Sequence, residues 1–509
     1  MIEALFTAGE AAGMIGGACR GNLESPIVDV VADSRKVREG SLFIALPGER
    51  VDGHDFIASA LGRGASCILA ANSMKEKVAA AFAAASPHQA CAILVDSPLA
   101  GLQNLAREHR RRMKGLLRIG VTGSSGKTTT KECIGAALSP AYEAGALVMN
   151  EGNLNSDIGL ALAMFSINAS HKVGVFEMGM NRKGEMGELA SIYEPDIAVI
   201  TNIGTAHIGM IGSRQGIAEE KKKIFSKFTG SQRGFVWEDD PYKDFLAAGV
   251  AGVVSEFGLH STKGFEKAEN LGLGGWRLRW FGETVLLPLP GKHNLVNGLA
   301  ALSVAAHIGL DPALVASGLG SVKPLFGRSE IFEGRISLVR DCYNANPDSV
   351  AAAIDLCDSV ESAGRKIYVL GSMLELGESS AEEHAAMGRR AESSSAEGLF
   401  FFGEEARAGY EAAIAASNAR LGTAGPANAG LAKRIAGRII FHTNDIESLK
   451  KTVLGYLKDG DLILAKASRG LALERFTEAL FEAGLVSGAS ADAGDQGRAA
   501  ETKGGAHAS

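Results

Sequence analysis

Residues 119–132 read IGVTGSSGKTTTKE, and this stretch decides the fold of the middle of the chain. An apolar run leads into a turn of small residues, which is followed by a lysine, three threonines and helix-forming residues. A small-residue loop between a strand and a helix lets backbone N–H groups point at a phosphate, aided by the helix N-terminus. The stretch therefore predicts a phosphate-binding loop in an α/β unit.

The predicted phosphate loop comprises Gly123, Ser124, Ser125, Gly126, Lys127, Thr128 and Thr129. Lys127 is expected to contact the outer phosphates of a nucleotide, and the Thr128 hydroxyl to reach a bound magnesium ion. Gly120 lies one residue too far upstream for the standard pattern, so the match is to a shortened TGSSGKTT form. The alternative is a glycine-rich turn with an incidental lysine. The order of strand, loop and helix favours the nucleotide site.

The composition places the chain in a broad class. A chain of 509 residues is expected to form roughly two or three domains. Its net charge of −6 argues against a general nucleic-acid binder. Six scattered cysteines without a CxxC pair predict reduced thiols. The chain shows neither a signal peptide nor an apolar run of about 20 residues, so we expect a cytoplasmic protein without membrane insertion.

The chain divides into four predicted parts. Residues 1–112 contain short strand-like and helix-like pieces and end in a basic helix, and residues 113–324 open with the phosphate loop. Apolar strands alternate with helices there and again in residues 325–485, which predicts a parallel sheet and then a second doubly wound α/β domain. Residues 486–509 are rich in Gly, Ala and Ser, and they predict a disordered tail.

Polar residues follow two predicted strands near the phosphate loop. Glu177 ends the run VGVFE, while Asn202 and His207 follow IAVI. The carboxyl ends of parallel strands meet at one edge of a sheet, so these groups could hold magnesium on substrate phosphates. Taken alone, His207 is more often an ordinary loop histidine than a ligand. No Asn-Lys-x-Asp run of the kind that GTPases use is found.

Eight stretches occur in one order along the chain: TGSSGKTTTKE, NEGNLNSDIGLALAM, FEMGMNRKGEM, TNIGTAHIGMIGSRQGIAEEKKKIF, PLPGKHNLVNGLAAL, GRSEIF, DCYNANPDSVAAAI and VLGSMLELGESSAEEH. This series resembles the Mur ligase family over nearly the whole chain except the tail. The resemblance implies three domains: an N-terminal domain that binds the UDP end of a substrate, a central P-loop ATPase with a parallel sheet, and a C-terminal Rossmann-like domain that closes over the site.

The resemblance also implies a reaction. The stretches YNANPDS and MLELGESSAEEH favour the family member that joins D-alanyl-D-alanine to UDP-N-acetylmuramoyl-tripeptide in peptidoglycan synthesis. ATP would convert the peptide carboxylate into an acyl phosphate, which the dipeptide amine attacks; a monomer is expected. The alternatives are a diamino-acid-adding ligase, folylpolyglutamate synthase, or a nucleotide-binding regulator without catalysis. No DNPR-type run supports the first of these.

Catalytic and metal-binding roles follow from the same resemblance. It implies Lys127, His207 and Lys221 as catalytic residues, and two magnesium ions held by Thr128, Glu177, His207 and Lys221. Within the run of three lysines at 221–223, the alignment selects Lys221 as a carbamylated lysine, because a carbamate supplies the oxygen ligands that magnesium prefers. The alternative for any one of these lysines is a solvated helix face.

Further contacts are implied for ATP and for the UDP substrate. The predicted ATP contacts beyond the loop are Asn294, Asn297, Arg328, Asp341, Tyr343 and Asn344. The predicted substrate contacts are Ser34, Arg35, Asn153, Asn155 and Ser156. The alternative for Ser34 and Arg35 is an ordinary salt bridge, and for Asn297 a packing role. The chain departs from the family pattern at Arg340 and Ser372, where Asp is usual, at Ala467, where Gly is usual, and at Ser156, which replaces an Asn.

Overall fold

The computed structural model describes residues 4–48, 51–85, 90–423 and 437–488. Within these ranges the chain is a mixed α/β protein, as the sequence predicts. Its strands form a five-stranded, a six-stranded and a seven-stranded sheet and two smaller ones. No helix in the described ranges is both long and apolar enough to cross a bilayer.

The first part of the chain forms the five-stranded sheet and a two-stranded ribbon. Its strands are β1 (Phe6–Thr7), β2 (Ala18–Gly21), β3 (Pro26–Ile27), β4 (Asp29–Val31), β5 (Ser41–Ile44), β6 (Cys67–Ala71) and β7 (Cys91–Val95). Its helices are α1 (Ala8–Ile15), α2 (Ile57–Gly62), α3 (Lys75–Ala85) and α4 (Pro98–Arg112). The sheet order is β2-β7-β6-β5-β4, and only the β2–β7 pairing is antiparallel. β6 and β7 are wholly apolar and buried, as expected for covered parallel strands.

The middle of the chain contains the six-stranded sheet, in which every pairing is parallel. Its strands are β8 (Leu117–Thr122), β9 (Leu147–Met149), β10 (Val173–Glu177), β11 (Ile197–Ile200), β12 (Arg233–Trp237) and β13 (Val253–Phe257). Their order is β13-β12-β11-β8-β10-β9, so the chain winds first to one side of β8 and then to the other. Ligands bind parallel sheets at such a reversal, outside the carboxyl ends of the strands.

Eight helices and a small antiparallel sheet complete the described middle part. The helices are α5 (Lys127–Leu138), α6 (Asp157–Ala163), α7 (Glu185–Tyr193), α8 (Ile208–Ile211), α9 (Arg214–Lys222), α10 (Lys243–Ala247), α11 (Lys292–Ile308) and α12 (Pro312–Gly320). The small sheet comprises β14 (Phe265–Asn270), β15 (Trp276–Trp280) and β16 (Glu283–Leu287). Its apolar residues alternate with polar ones, and they pack on the same core cluster as α5 and α11.

The last part of the chain forms the seven-stranded sheet. Its strands are β17 (Glu330–Gly334), β18 (Ser337–Asp341), β19 (Lys366–Gly371), β20 (Gly398–Phe402), β21 (Ile439–Thr443), β22 (Leu462–Lys466) and β23 (Val486–Ser487). Its helices are α13 (Pro347–Ser359), α14 (Ser380–Ser393), α15 (Ala406–Thr423), α16 (Ile446–Tyr456) and α17 (Glu474–Glu482). The order is β21-β20-β19-β22-β18-β17-β23, and β17 runs antiparallel to both of its neighbours.

The start of the predicted tail differs from the expectation. The tail was predicted to begin at Val486, but Val486 and Ser487 pair with Gly334 and Glu333 and close the edge of the seven-stranded sheet. Val486 is buried in the core beneath that sheet, which is why two residues of a polar, small-residue stretch join a strand. The rest of the predicted tail, residues 489–509, lies outside the described residues.

The first and middle parts share a hydrophobic cluster. Leu102 and Leu105 of α4 belong to the same cluster as Leu189 and Ile192 of α7, so the end of α4 does not separate two cores. All six cysteines are free thiols, and five of them are buried.

Arg340 and Ser372, where the chain departs from the family pattern, both have structural partners. Arg340 is buried and donates two hydrogen bonds to the Glu330 carboxylate, at 2.7 and 2.8 Å. Its guanidinium lies over the rings of Phe326 and Phe332. Ser372 is also buried, and its hydroxyl accepts a hydrogen bond from the amide of Ala406, the first residue of α15. Both residues thus hold the seven-stranded sheet and its helices together.

Replacing Arg340 with alanine should lower the free energy of unfolding by about 3 kcal/mol, because the largely buried Glu330 carboxylate loses its charged partner. Urea titration followed by circular dichroism measures this. Arg335→Ala is the matched control: it breaks the exposed pair with Asp459 and should cost less than about 1 kcal/mol. Equal losses for the two variants would contradict a stabilising role for the Arg340 pair.

Candidate active site

The phosphate loop lies where the sequence predicts it, between the end of β8 and the start of α5. Gly123 and Gly126 adopt φ angles of 151° and 78°, which residues with a side chain rarely adopt. A Cβ on Gly123 would lie 1.8 Å from the Thr201 hydroxyl oxygen. The loop therefore needs glycine at this position for both its backbone and its packing.

Two residues after β11 brace the phosphate loop. The Thr201 hydroxyl donates to the Ser125 carbonyl at 2.5 Å, and the Asn202 side-chain oxygen accepts from the Ser125 amide at 3.0 Å. Ser124 adds a third link, since its hydroxyl accepts from the Gly204 amide at 2.8 Å. The loop conformation is thus held by the neighbouring strand as well as by its own glycines.

Thr128 and Glu177 meet at the adjacent strand end. The Thr128 hydroxyl donates to Glu177 Oε2 at 2.6 Å, and the Asn155 amide donates to Glu177 Oε1 at 2.7 Å. Asn150 fixes the backbone of Glu177 by accepting from its amide and donating to its carbonyl. A hydroxyl and a carboxylate side by side are the hard oxygen donors that magnesium prefers, so these residues fit that ion.

Two lysines converge on the phosphate loop, of which Lys221 is buried and Lys127 is half-buried. Lys127 and Lys221 both donate to the Gly123 carbonyl, at 2.9 and 2.8 Å. Burial, with the Lys127 charge next in effect, lowers the pKa of Lys221 well below its usual value. Burial also lowers the pKa of Lys127, against the opposing effect of the Glu177 carboxylate. The site therefore places the charge of Lys127 where a phosphate would neutralise it, and it favours the neutral amine of Lys221.

The three neighbouring lysines have different environments. Lys221 is buried and points to the phosphate loop. Lys222 instead donates to the carbonyl of Phe245, and Lys223 pairs with Glu220. Among the described contacts of these three lysines, only those of Lys221 reach the predicted site.

His207 directly precedes the short helix α8 and has a φ of 64°, an uncommon value for a residue with a side chain. Its Nδ1 lies 3.3 Å from the Glu375 carboxylate. The described contacts do not join His207 to Thr128 or Glu177, and no group of three or more His, Cys, Asp and Glu residues in the described ranges is arranged to hold a metal. The structure thus brings together Thr128, Glu177 and Lys221 but leaves the predicted role of His207 untested.

The predicted ATP contacts of the last part of the chain lie together. The guanidinium of Arg328 stacks on the Tyr343 ring at 4.2 Å, and its charge acts on Lys127. The Asp341 carboxylate pairs with Lys466 at 3.0 Å, and the same ammonium donates to the Asn344 carbonyl. Arg328 is therefore near the phosphate loop.

Asn294 and Asn297 lie in the first turns of α11, behind the phosphate loop. The Asn297 side-chain oxygen accepts from Thr130 at 3.0 Å, and its amide donates to Asn294. A Cβ on Gly126 would lie 2.6 Å from that same oxygen. Asn297 thus supports the start of α5, which is the packing alternative, while contact with adenine stays a prediction.

The predicted substrate contacts are less closely grouped. Arg35 forms an ion pair with Asp33 at 2.8 Å in an exposed turn, and Ser34 lies in the same turn. No described contact joins them to the phosphate loop. Ser156 caps α6 by accepting from the Gly159 amide, and Asn153 accepts from the Asn155 amide. Only Asn155, through Glu177, reaches the cluster.

Comparison with known proteins identifies the family. Sequence profiles described as the Mur ligase family catalytic domain, the Mur ligase middle domain, and the Mur ligase glutamate ligase domain match residues 26–110, 121–305 and 327–469. The chain belongs to the Mur ligase family.

Two curated relatives of this Mur ligase carry the same name. The UDP-N-acetylmuramoyl-tripeptide–D-alanyl-D-alanine ligase of Treponema pallidum is 41% identical over 444 residues, covering 87% of this chain and 91% of the relative. The ligase of the same name from Bacillus subtilis is 33% identical over 479 residues, covering 92% and 97%.

Solved structures agree with the fold of this Mur ligase. A crystal structure of MurF from Acinetobacter baumannii matches with a TM-score of 0.80 and 26% identity, covering 94% of this chain and 99% of that one. MurF ligase from Thermotoga maritima in complex with ADP matches with a TM-score of 0.71 and 30% identity, covering 90% and 97%.

Several residues of this Mur ligase site were absent from the predicted set. Thr201 and Asn150 hold the loop and Glu177, and each follows a parallel strand directly, so the rule that located Glu177 would also have found them. Asn346 and Asp348 reach the site from α13, on the far side of the sequence. No local pattern indicates those two contacts.

Replacing Gly123 with alanine should reduce nucleotide binding by at least about 100-fold, because a methyl group there overlaps Thr201 and moves the loop. Isothermal titration with ADP and magnesium measures this. Gly145→Ala, another glycine with positive φ but with open space around its Cβ, is the control and should bind normally. Normal binding by the Gly123 variant would place the nucleotide elsewhere.

Proposed function

We propose that this Mur ligase joins D-alanyl-D-alanine to UDP-N-acetylmuramoyl-tripeptide in an ATP-dependent reaction of peptidoglycan precursor synthesis. The observation that carries the proposal is the cluster that follows β8. There Lys127 and Thr128 of the phosphate loop lie beside Glu177, and the charge of Arg328 acts on Lys127. The names of the relatives support the choice of substrates.

The chemistry needs such a cluster. A carboxylate is a poor electrophile, because an oxide leaving group is too basic, whereas phosphate leaves readily from an acyl phosphate. Phosphoryl transfer depends on positioning and on neutralising charge at the crowded phosphates. Lys127 and the amides of the loop would hold the ATP phosphates, and the substrate carboxylate would approach from the side of Glu177. The dipeptide amine then attacks the acyl phosphate, and phosphate leaves through a tetrahedral intermediate.

Magnesium is part of the proposal. When bound, it would neutralise phosphate charge during transfer. Thr128 and Glu177 would hold a first ion, since their oxygens already lie together. His207 and a carbamylated Lys221 would serve a second ion.

Carbamylation of Lys221 rests on its burial. An ammonium is costly to bury, and burial lowers the pKa of Lys221, which favours the neutral amine that can add carbon dioxide with release of a proton. The product is an anionic carbamate. Its oxygens would bind the metal ion, which the ammonium form of Lys221 would repel. Lys222 and Lys223 face away from the loop, in agreement with the choice of Lys221.

The remaining parts of the proposal concern partners and location. Ser34, Arg35, Asn153, Asn155 and Ser156 are the proposed contacts to the UDP-tripeptide. Asn294, Asn297, Arg328, Asp341, Tyr343 and Asn344 are the proposed contacts to ATP. We infer a cytoplasmic monomer with three domains: residues 1–112, 113–324 and 325–488, the last extended to include the edge strand β23. The three alternative functions are those of a diamino-acid-adding ligase, of folylpolyglutamate synthase, and of a nucleotide-binding regulator without catalysis.

A phosphate-release assay tests the substrates. Release should require ATP, magnesium, UDP-N-acetylmuramoyl-tripeptide and D-alanyl-D-alanine together, because the acyl phosphate forms only on the tripeptide and is consumed by the dipeptide amine. Lys127→Ala should reduce this release by about 1000-fold. Release with a free diamino acid, or with a folate and glutamate, would move the chain to another reaction. No release in any combination would favour the regulator.

Replacing Lys221 with alanine should lower activity by about 100-fold or more. Formate or acetate should restore part of it by occupying the position of the carbamate, and wild-type protein incubated with 13C-bicarbonate should show a carbamate carbon signal that the variant lacks. Lys222→Ala and Lys223→Ala are the matched controls and should keep activity within about threefold. Full activity in all three variants, without a carbamate signal, would contradict the modification.

A further inference from the structure

The last part of the chain meets the middle part along a narrow seam. We define the seam as Gly204, Thr205 and Gly209 on the middle side, and Asp348, Glu375 and Gly377 on the other. Asp348 Oδ2 accepts from the Thr205 amide at 3.0 Å and from the Thr205 hydroxyl at 3.3 Å. Glu375 approaches His207 at the far end of the same loop.

Two glycines on the middle side of the seam allow this close approach. A Cβ on Gly204 would lie 2.1 Å from Asp348 Oδ2. A Cβ on Gly209 would lie within 3.0 to 3.2 Å of three backbone atoms of Glu375 and Gly377. Gly209 lies in α8 and has no positive φ, so its own backbone does not require glycine. Glycine is therefore needed at position 209 because the backbone of Glu375 and Gly377 leaves no room for a side chain.

The seam also reaches the phosphate loop. The Asn346 amide donates to the Ser125 hydroxyl at 3.1 Å, while the Asn346 oxygen caps α13 by accepting from the Ser349 amide at 2.8 Å. Asn346 and Asp348 belong to the same first turn of α13. One helix end therefore contacts both the phosphate loop and the loop that carries His207.

We propose that Asp348 is a positioning residue, which holds the last part of the chain against the loop 204–207. The absence of a side chain at Gly209 leaves the space that this contact requires. The proposal rests on the proposed function, because it concerns the same active site. Through Thr205, Asp348 holds the segment that leads to His207. Through Asn346, the same helix turn holds Ser125. The contact between the two parts would then order the phosphate loop and the loop 204–207 together, and it would bring Arg328 to the phosphates.

Replacing Asp348 with alanine removes both contacts to Thr205. We expect kcat to fall about tenfold, which is the effect of losing a hydrogen bond to a charged group, with the KM for the UDP-tripeptide unchanged within about twofold. Asp348→Asn keeps an oxygen that accepts from the Thr205 amide, and it should recover most of the activity. Glu382→Gln, in the first turn of α14, changes an exposed acidic residue of the same part and should behave as wild type.

Replacing Gly209 with alanine tests the same seating from the opposite side. The added methyl meets Glu375 and Gly377, so kcat should again fall about tenfold while the melting temperature stays at the wild-type value. Gly455→Ala is the matched control, since it adds the same methyl group to a helix of the last part with open space around it. Small-angle scattering of the Gly209 variant with an ATP analogue should give a larger radius of gyration than the wild type.

The outcomes separate the two proposals. Wild-type protein without ligase activity would contradict the proposed function, while the scattering comparison would still test the seam. Active Asp348→Ala and Gly209→Ala variants with wild-type kcat and radius of gyration would overturn the seam proposal and leave the function intact. If Asp348→Ala lowers the melting temperature as well as kcat, and Asp348→Asn recovers neither, the role of Asp348 would be to stabilise α13 instead.

Discussion

The parallel pairing of β8 with β10 and β11 is the constraint on which the site depends. Because these strands run in one direction, their carboxyl ends lie at the same edge, and residues distant in sequence meet there. The phosphate loop follows β8, Glu177 ends β10, and Thr201 follows β11 directly. Each strand supplies a different function: backbone amides, a carboxylate, and a hydroxyl that braces the loop.

The balance of charge at this edge is the second organising feature. Lys127 and Lys221 share one carbonyl acceptor, and burial disfavours the charged form of both. Phosphate charge at this loop would stabilise the ammonium of Lys127, whereas the proposed carbamate removes the positive charge of Lys221. Glu177 is the nearby carboxylate, and two amide side chains and a hydroxyl hold it in place.

The last part of the chain supplies what the middle part lacks. Its helix α13 begins beside Ser125 and Thr205, and Arg328 adds a positive charge that acts on Lys127. The departures from the family pattern at Arg340 and Ser372 do not disturb this arrangement. Arg340 and Ser372 are buried among partners of the seven-stranded sheet, so their substitution changes the interior of the last part of the chain.

The sequence alone predicted the alternation of strands and helices, the phosphate loop, the family and, at the strand ends, Glu177 and Asn202. These features are local, since glycine spacing, apolar runs and motif order can be read within short windows. Tertiary structure alone decided the rest: which side chains brace the loop, the environments that separate Lys221 from its neighbours, and the seam at Asp348. Thr205 and Asp348 are 143 residues apart, and Ser125 and Asn346 are 221 apart. Contacts over such separations depend on how the sheets pack together, and no pattern within a short window encodes that packing.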